Sequence, residues 1–212
     1  MFKLLKCLFP IMLIGIILSA CQKPLDTKHQ LQTDMQTVLQ ATKRQQVALS
    51  TLETIGDPVP DNYLTLQKKH PNQNLLTVEG SKIATTATKR SAAFQDIKTQ
   101  QTLLKPVIKR LIMISEQENN ELPIEQIKDL NQSLKISTLD YTTLSTFYDA
   151  ATTAEDKFYT DHTDADVDQE TLKSPINRLN QYYSSVYQQA EIAKVNMNTV
   201  AANAKKIQKQ LN

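Results

Sequence analysis

Twelve apolar residues recur at alternating steps of four and three near the end of the chain: Leu172, Ile176, Leu179, Tyr183, Val186, Ala190, Ala193, Met197, Val200, Ala204, Ile207 and Leu211. An unbroken 3.5-residue repeat keeps one helix face apolar over many turns and builds a seam for another helix. Ser174-Pro175 reads as a start signal, a capping hydroxyl followed by proline at the first helical position. The pattern predicts a helix over 175–211, about 55 Å long at 1.5 Å per residue.

Three weaker frames precede it. Leu31, Met35, Val38, Leu49 and Leu52 form one, with Thr42 and Gln45 as polar gaps. Ile83, Ala87, Phe94, Ile97, Leu104, Ile108 and Leu111 form another, interrupted by Arg90, Gln101 and Ser115 and carrying Pro106, which is expected to kink it. A fourth opens with Ile127, Leu130 and Leu134, breaks near Ile136–Leu139, and resumes through Tyr141, Leu144, Tyr148, Ala151 and Phe158. Between the first two lies a stretch at about 56–80 that holds Gly56, Asp57-Pro58-Val59-Pro60, His70-Pro71 and Gly80. Proline and glycine at that density stop helices, so this stretch reads as a linker. The connection 119–123 is short and implies antiparallel neighbours. The connection 160–174 is acidic. The fold class expected is all-α, an elongated antiparallel bundle of about four long helices with coiled-coil-like seams.

Composition supports the exclusion of sheets. The 212 residues include 3 Gly and no Trp. That is too little glycine for a β-sandwich, a βαβ nucleotide fold or a phosphate-cradling loop. Charge is nearly balanced, 24 Lys+Arg against 22 Asp+Glu. Lys3 and Lys6 account for the whole excess, so the remainder is formally neutral and offers no footprint for nucleic acid.

Those two lysines open a leader. They precede the apolar run Leu8–Leu18, which is too short to span a bilayer comfortably, and the run ends in Leu18-Ser19-Ala20-Cys21. The quartet resembles a bacterial lipobox. It implies cleavage after Ala20 and a diacylglyceryl thioether on Cys21, and two acyl chains anchor stably where one does not. The expected organisation is a signal peptide at 1–20, a lipidated tether at 21–27 and a single helical bundle at 28–212. Cys7 leaves with the leader and Cys21 carries lipid, so the even cysteine count implies no disulfide. The expected location is the outer face of the cell membrane.

Local chemistry is sparse. The segment Asp161–Glu170 sets carboxylates at alternate positions, a pattern that suits a divalent cation. Counting an EF-hand from Asp164 puts Pro175 where the bidentate Glu belongs, and counting from Asp161 puts Leu172 there. No metal site is assigned, and the carboxylates suit the start of the next helix. Eight of the ten aromatic residues after Cys21 fall between 141 and 187. Tyr182, Tyr183 and Tyr187, with Asp164 and Asp166, form a candidate ligand surface for sugar rings; the alternative is that the rings fill a wide end of the bundle core. Lys194, Lys205, Lys206 and Lys209 suit a helix C-terminus or an anionic polymer. Arg90, in a seam position, is expected to reach the surface along its apolar stem, the alternative being a buried polar group that sets register. His29, His70 and His162 are far apart, and G-x-S-x-G and G-x-x-x-x-G-K-[ST] patterns are missing. No catalytic residue, cofactor or enzyme activity is assigned.

Tyr141-x6-Tyr148-x6-Glu155-x2-Phe158-Tyr159, Ile176-Asn177-x2-Leu179 and Asn180-x2-Tyr183-x2-Val186, with Asn196 and Thr199 and the lipobox, together resemble the YkyA family. These are cell-wall-binding lipoproteins of Gram-positive bacteria. An Asn/Phe pair typical of that family reads Asn196-Met197 here. The resemblance implies an all-helical exodomain associated with peptidoglycan or another wall polymer, and carries no catalytic residues. The function expected is a membrane-anchored, non-catalytic wall-binding or spacer module. The alternative is a helical adaptor that recruits another envelope protein or a second copy of itself.

Overall fold

In the computed structural model, which describes residues 26–117 and 121–211, each apolar frame is a long helix. The helices are α1 (Thr27–Thr54), α2 (Tyr63–Lys69), α3 (Lys82–Ser115), α4 (Ile124–Asp161) and α5 (Gln169–Leu211), with a 3₁₀ turn at Leu75–Thr77. No strand occurs among the described residues. Cys21 and the motif Leu18, Ser19 and Ala20 lie outside the described residues.

Side-chain caps explain where the helices begin. Asp26 Oδ1 accepts from the backbone N–H of Lys28 at 3.1 Å and His29 at 3.2 Å. Ser81 Oγ accepts from Ala84 N–H at 3.0 Å. Such caps satisfy donors that have no partner inside the helix. Past the end of α1, Gly56 turns the chain away at φ +89°, a left-handed conformation that side chains with a Cβ rarely adopt.

Two boundaries differ from those read in the sequence. The last helix starts at Gln169 rather than Pro175, because Asp168 Oδ1 accepts from Thr171 N–H at 2.7 Å and supplies an earlier cap. Pro175 then falls inside the helix. The expected break near Ile136–Leu139 is absent, since α4 runs through it; Pro106, where a kink is expected, lies inside the continuous α3.

Contacts join α1 to α3, α3 to α4, α4 to α5 and α5 back to α1. Along each pair, one residue number rises as the other falls. Asp34 meets Arg110 and Gln45 meets Gln101 between α1 and α3. Asn203 meets Ser133, Asn196 meets Asp140 and Tyr183 meets Glu155 between α5 and α4. Arg90 meets Glu155 and Gln101 meets Ser137 between α3 and α4, and Gln32 meets the Leu211 carbonyl between α1 and α5. The start of α1 therefore lies level with the end of α5, and the end of α4 with the start of α5.

The apolar core has two parts. One contains Leu31, Met35, Val38, Leu104, Leu111, Ile127, Leu130, Val200 and Ile207. The other contains Leu49, Leu52, Phe94, Ile97, Leu144, Phe158, Leu179, Tyr183 and Val186. Buried polar groups lie at the level between them. Gln101 Nε2 donates to Gln45 Oε1 at 2.9 Å and to Ser137 Oγ at 3.2 Å, with Thr42 also buried on α1. Gln45, Gln101 and Ser137, polar positions from three separate sequence frames, are thus a single layer.

The stretch 56–80 is more than a linker. Val59, Tyr63 and Leu75 are buried in the second core, and Gln67 is buried beside them. Gln67 Nε2 donates to the carbonyls of His70, Gln73 and Thr163 at 3.0, 3.2 and 2.8 Å. Asn72 N–H also donates to the Thr163 carbonyl, at 3.0 Å. Proline and glycine stop the long helices here, but apolar side chains between them cover the open end of the core.

Candidate functional site

The end of the molecule where α4 finishes and α5 begins carries both an internal polar cluster and an external groove. Arg90 of α3 is 1 % exposed and Glu155 of α4 is 4 % exposed, and they form an ion pair. Tyr183 of α5 donates its hydroxyl to Glu155 Oε2 at 2.6 Å, and Arg90 Cζ stands 4.5 Å from the Tyr183 ring centroid. The arginine stays inside rather than reaching the surface because a carboxylate and an aromatic face await it there. Burial pushes the Glu155 carboxyl above its ordinary pKa, with the Arg90 charge and the Tyr183 hydrogen bond opposing it. Burial also raises the Tyr183 and Tyr159 hydroxyls, and pushes Tyr63 up to about 12.

The aromatic residues concentrated in the sequence surround this cluster. Phe94 stacks on Tyr148 with ring centroids 4.0 Å apart, and Phe158 meets Tyr159 edge-on at 5.1 Å. Tyr159 donates to the Pro58 carbonyl at 2.6 Å, Tyr63 to the His162 carbonyl, and Tyr187 to the Gly56 carbonyl at 2.9 Å. Most of these rings therefore fill the core, and their hydroxyls tie the 56–80 cover to the bundle.

Of the five residues singled out as a ligand surface, one lines a concave site. Tyr182, partly buried, borders a groove of about 690 Å³ between α4 and α5. Tyr183 is buried behind the groove, and Tyr187 is partly buried against the chain after α1. Asp164 and Asp166 are exposed in the turn, where Asp164 Oδ1 accepts from Asp166 N–H at 2.9 Å. Among the described residues no three His, Cys, Asp or Glu side chains converge to hold a metal ion.

The groove has a charged end, an apolar floor and a lone acid. Lys157 and Asp161 of α4, and His162 just past its end, face Arg178 of α5 at one end, with Ser174 beside them. Ala150, Ala154 and Phe158 of α4, with Pro175 and Leu179 of α5, make the floor. Asp149 and Thr153 complete the α4 wall towards the middle of the helix. Lys157 Nζ is bound to Asp161 Oδ2 at 2.6 Å, and the His162 ring lies 4.8 Å from that of Phe158. A second hollow of about 230 Å³ adjoins across Arg178 and Tyr182, lined also by Gln181 and Ser185.

Comparison of the chain with known protein families, with curated proteins and with solved structures finds no match. The groove thus stands on its own geometry. Arg178, Lys157 and Asp149 were not singled out from sequence, since each is one of many exposed charges on a helix. The signal that finds them is spacing: Asp149, Thr153 and Lys157 follow i, i+4 steps, as do Ser174, Arg178 and Tyr182. Lys194 proves to pair with Glu53 across α1 and α5, whereas Lys205, Lys206 and Lys209 are exposed near the far end of α5.

Proposed function

We propose that this protein is a lipid-anchored, non-catalytic module of the cell envelope that holds wall polymer at the end facing away from the membrane. In this reading α1, α3, α4 and α5 form an elongated antiparallel bundle with coiled-coil-like seams, of the kind the YkyA resemblance implies. The observation that carries it is the position of the groove. Residue 26, five positions after Cys21, opens α1, and the start of α1 is level with Leu211. Arg178 lies 33 residues up α5 from Leu211, roughly 50 Å at 1.5 Å per residue. An anchor at Cys21 would put the groove well clear of lipid, with exposed Lys205, Lys206 and Lys209 on the membrane side. No helix among the described residues is long and apolar enough to cross a membrane.

Purified sacculi incubated with the full chain in detergent micelles and then pelleted test the proposal. The wild type is expected in the pellet, with several-fold less for Tyr182→Ala. Retention of the wild type in the supernatant at every salt concentration refutes wall binding. Labelled palmitate incorporated by the wild type and lost in Cys21→Ser tests the anchor. Release of muropeptides from labelled sacculi would overturn the non-catalytic assignment.

A second reading rests on a different observation. Ile136, Leu139 and Phe147 of α4 and Ile192 and Val195 of α5 are large apolar residues left exposed. This suits the adaptor alternative, in which a helical partner or a second copy covers them. Sedimentation distinguishes the two: a monomer that pellets with sacculi favours the wall, and a self-associating chain that does not favours the adaptor.

A further inference from the structure

Resting on that reading, we propose that the α4/α5 groove takes a short zwitterionic peptide, about four residues long, with its carboxylate at Arg178 and its ammonium at Asp149. The charges in the groove are of both signs, and one pair is already closed: Lys157 holds Asp161. Arg178 and Asp149 are the members left over, both exposed and both lining the groove, with no ion pair among the described residues.

Their separation sets the length of the ligand. Tyr183 lies level with Glu155 and Asn196 with Asp140, so Arg178 of α5 stands at about the height of Tyr159 on α4. Asp149 is ten residues below that, roughly 15 Å along the axis. An extended chain covers at most about 3.3–3.6 Å per residue, so four residues match the span. The floor between is Ala150, Ala154 and Leu179, small or apolar side chains over which methyl-bearing residues can lie.

Charge and hydrogen-bonding capacity argue against the other wall chemistries. A polyanion would meet Asp149 at one end of the groove and, at the other, Asp161 and the acidic turn at Asp164, Asp166 and Asp168, all exposed. A neutral glycan presents hydroxyls along its whole length, and the floor of alanine, leucine and phenylalanine leaves those that face it unmatched. A ligand with one charge of each sign at its two ends, and little polarity between, satisfies the groove.

The test uses the full chain in detergent micelles and tetra-alanine as the probe, in four forms: free, N-acetylated, C-amidated and doubly capped. Affinities are read by calorimetry. The free peptide is expected to bind tightest, with about tenfold lost on amidation and a similar loss on acetylation, as for one charge-assisted contact each at an exposed site. Arg178→Gln should abolish the penalty of amidation and leave that of acetylation. Asp149→Asn should do the reverse. Both positions are exposed, and unchanged thermal melts establish that the variants fold; Arg178→Lys should retain the preference for the free acid if the glutamine variant melts early.

Equal binding of the free and doubly capped peptides, or no binding at millimolar concentration, overturns the inference. So does chitotetraose binding more tightly and indifferently to both substitutions, which would leave wall binding intact and make the groove a glycan site. Peptide binding without pelleting on sacculi has the opposite meaning: the groove's chemistry stands and its assignment to the wall falls.

Discussion

Removing Arg90 while keeping Glu155 is the most revealing perturbation of the core. The two side chains are 2 % and 5 % exposed, so Arg90→Met leaves a carboxylate inside the protein with only the Tyr183 hydroxyl as partner. Breaking a buried pair from one side costs about 3–5 kcal/mol, because the remaining charge has lost water and gained nothing. For a chain of this size that corresponds to a fall of roughly 6–20 °C in melting temperature. Arg90→Met with Glu155→Leu removes both charges and should recover most of the loss. The pH dependence separates this account from simple loss of packing. Glu155 has a raised pKa in the fold, chiefly through burial, so the folded chain holds that proton more tightly than the unfolded chain. Its contribution is greatest below the unfolded pKa and declines as pH rises through the folded one. Without Arg90 the pKa rises further, so Arg90→Met should be nearer to wild type at pH 5 than at pH 8. Circular dichroism melts of the four members of the cycle across that range provide the measurement. A single variant within 1 kcal/mol of wild type at pH 8, or a deficit that does not change with pH, refutes the reasoning.

Three further outcomes are expected. Gln101→Leu alone orphans Gln45 Oε1 in the layer between the two apolar cores and should cost about 1–3 kcal/mol in a urea melt, whereas Gln101→Leu with Gln45→Leu should recover it or gain. Asp34→Asn weakens a buried carboxylate's two bonds to Arg110, at 3.0 and 2.6 Å; because Arg110 is one-third exposed, a loss of about 1–2 kcal/mol is expected in the same assay. The Asp168 carboxyl is held below its ordinary pKa, first by the Thr171 backbone N–H, so its support of α5 is present above the unfolded pKa and lost as pH falls through the folded one. The Thr171 amide resonance should therefore titrate at low pH in the wild type, and Asp168→Ala should show neither that titration nor the ordered first turn.

The seams of this protein were legible because the helices are long and their apolar steps repeat. The last frame proved buried at every position except Ile176, which is half-covered. What the sequence obscured is polar, and it follows a rule. Thr42 and Gln45 were gaps in the frame of α1, Gln101 and Arg90 interruptions in that of α3, and 136–139 a break in that of α4. Taken one helix at a time, each weakens the case for a core, because periodicity counts apolar residues and has no way to credit a polar residue whose partner sits on another helix. Folding the helices in opposite directions brings the gaps level: Gln45, Gln101 and Ser137 share hydrogen bonds, and Arg90 reaches Glu155 and Tyr183. Arg90 was misplaced to the surface for the same reason, since burial of a guanidinium is unfavourable unless a carboxylate is waiting, and the carboxylate is 65 residues away. The stretch 56–80 escaped differently: its prolines and glycines correctly stop the helices, and Val59, Tyr63 and Leu75 are too irregularly spaced to register as any period. The groove was hidden for the plainest reason. Exposed charges are ordinary on a helix, and Arg178 and Asp149 differ from most of the rest in lining one groove between two helices. Buried polar layers fix which helix faces meet, because a shift of one turn would leave every one of these groups unpaired. The α4/α5 register that pairs Tyr183 with Glu155 and Asn196 with Asp140 is what sets Arg178 and Asp149 at opposite ends of one groove.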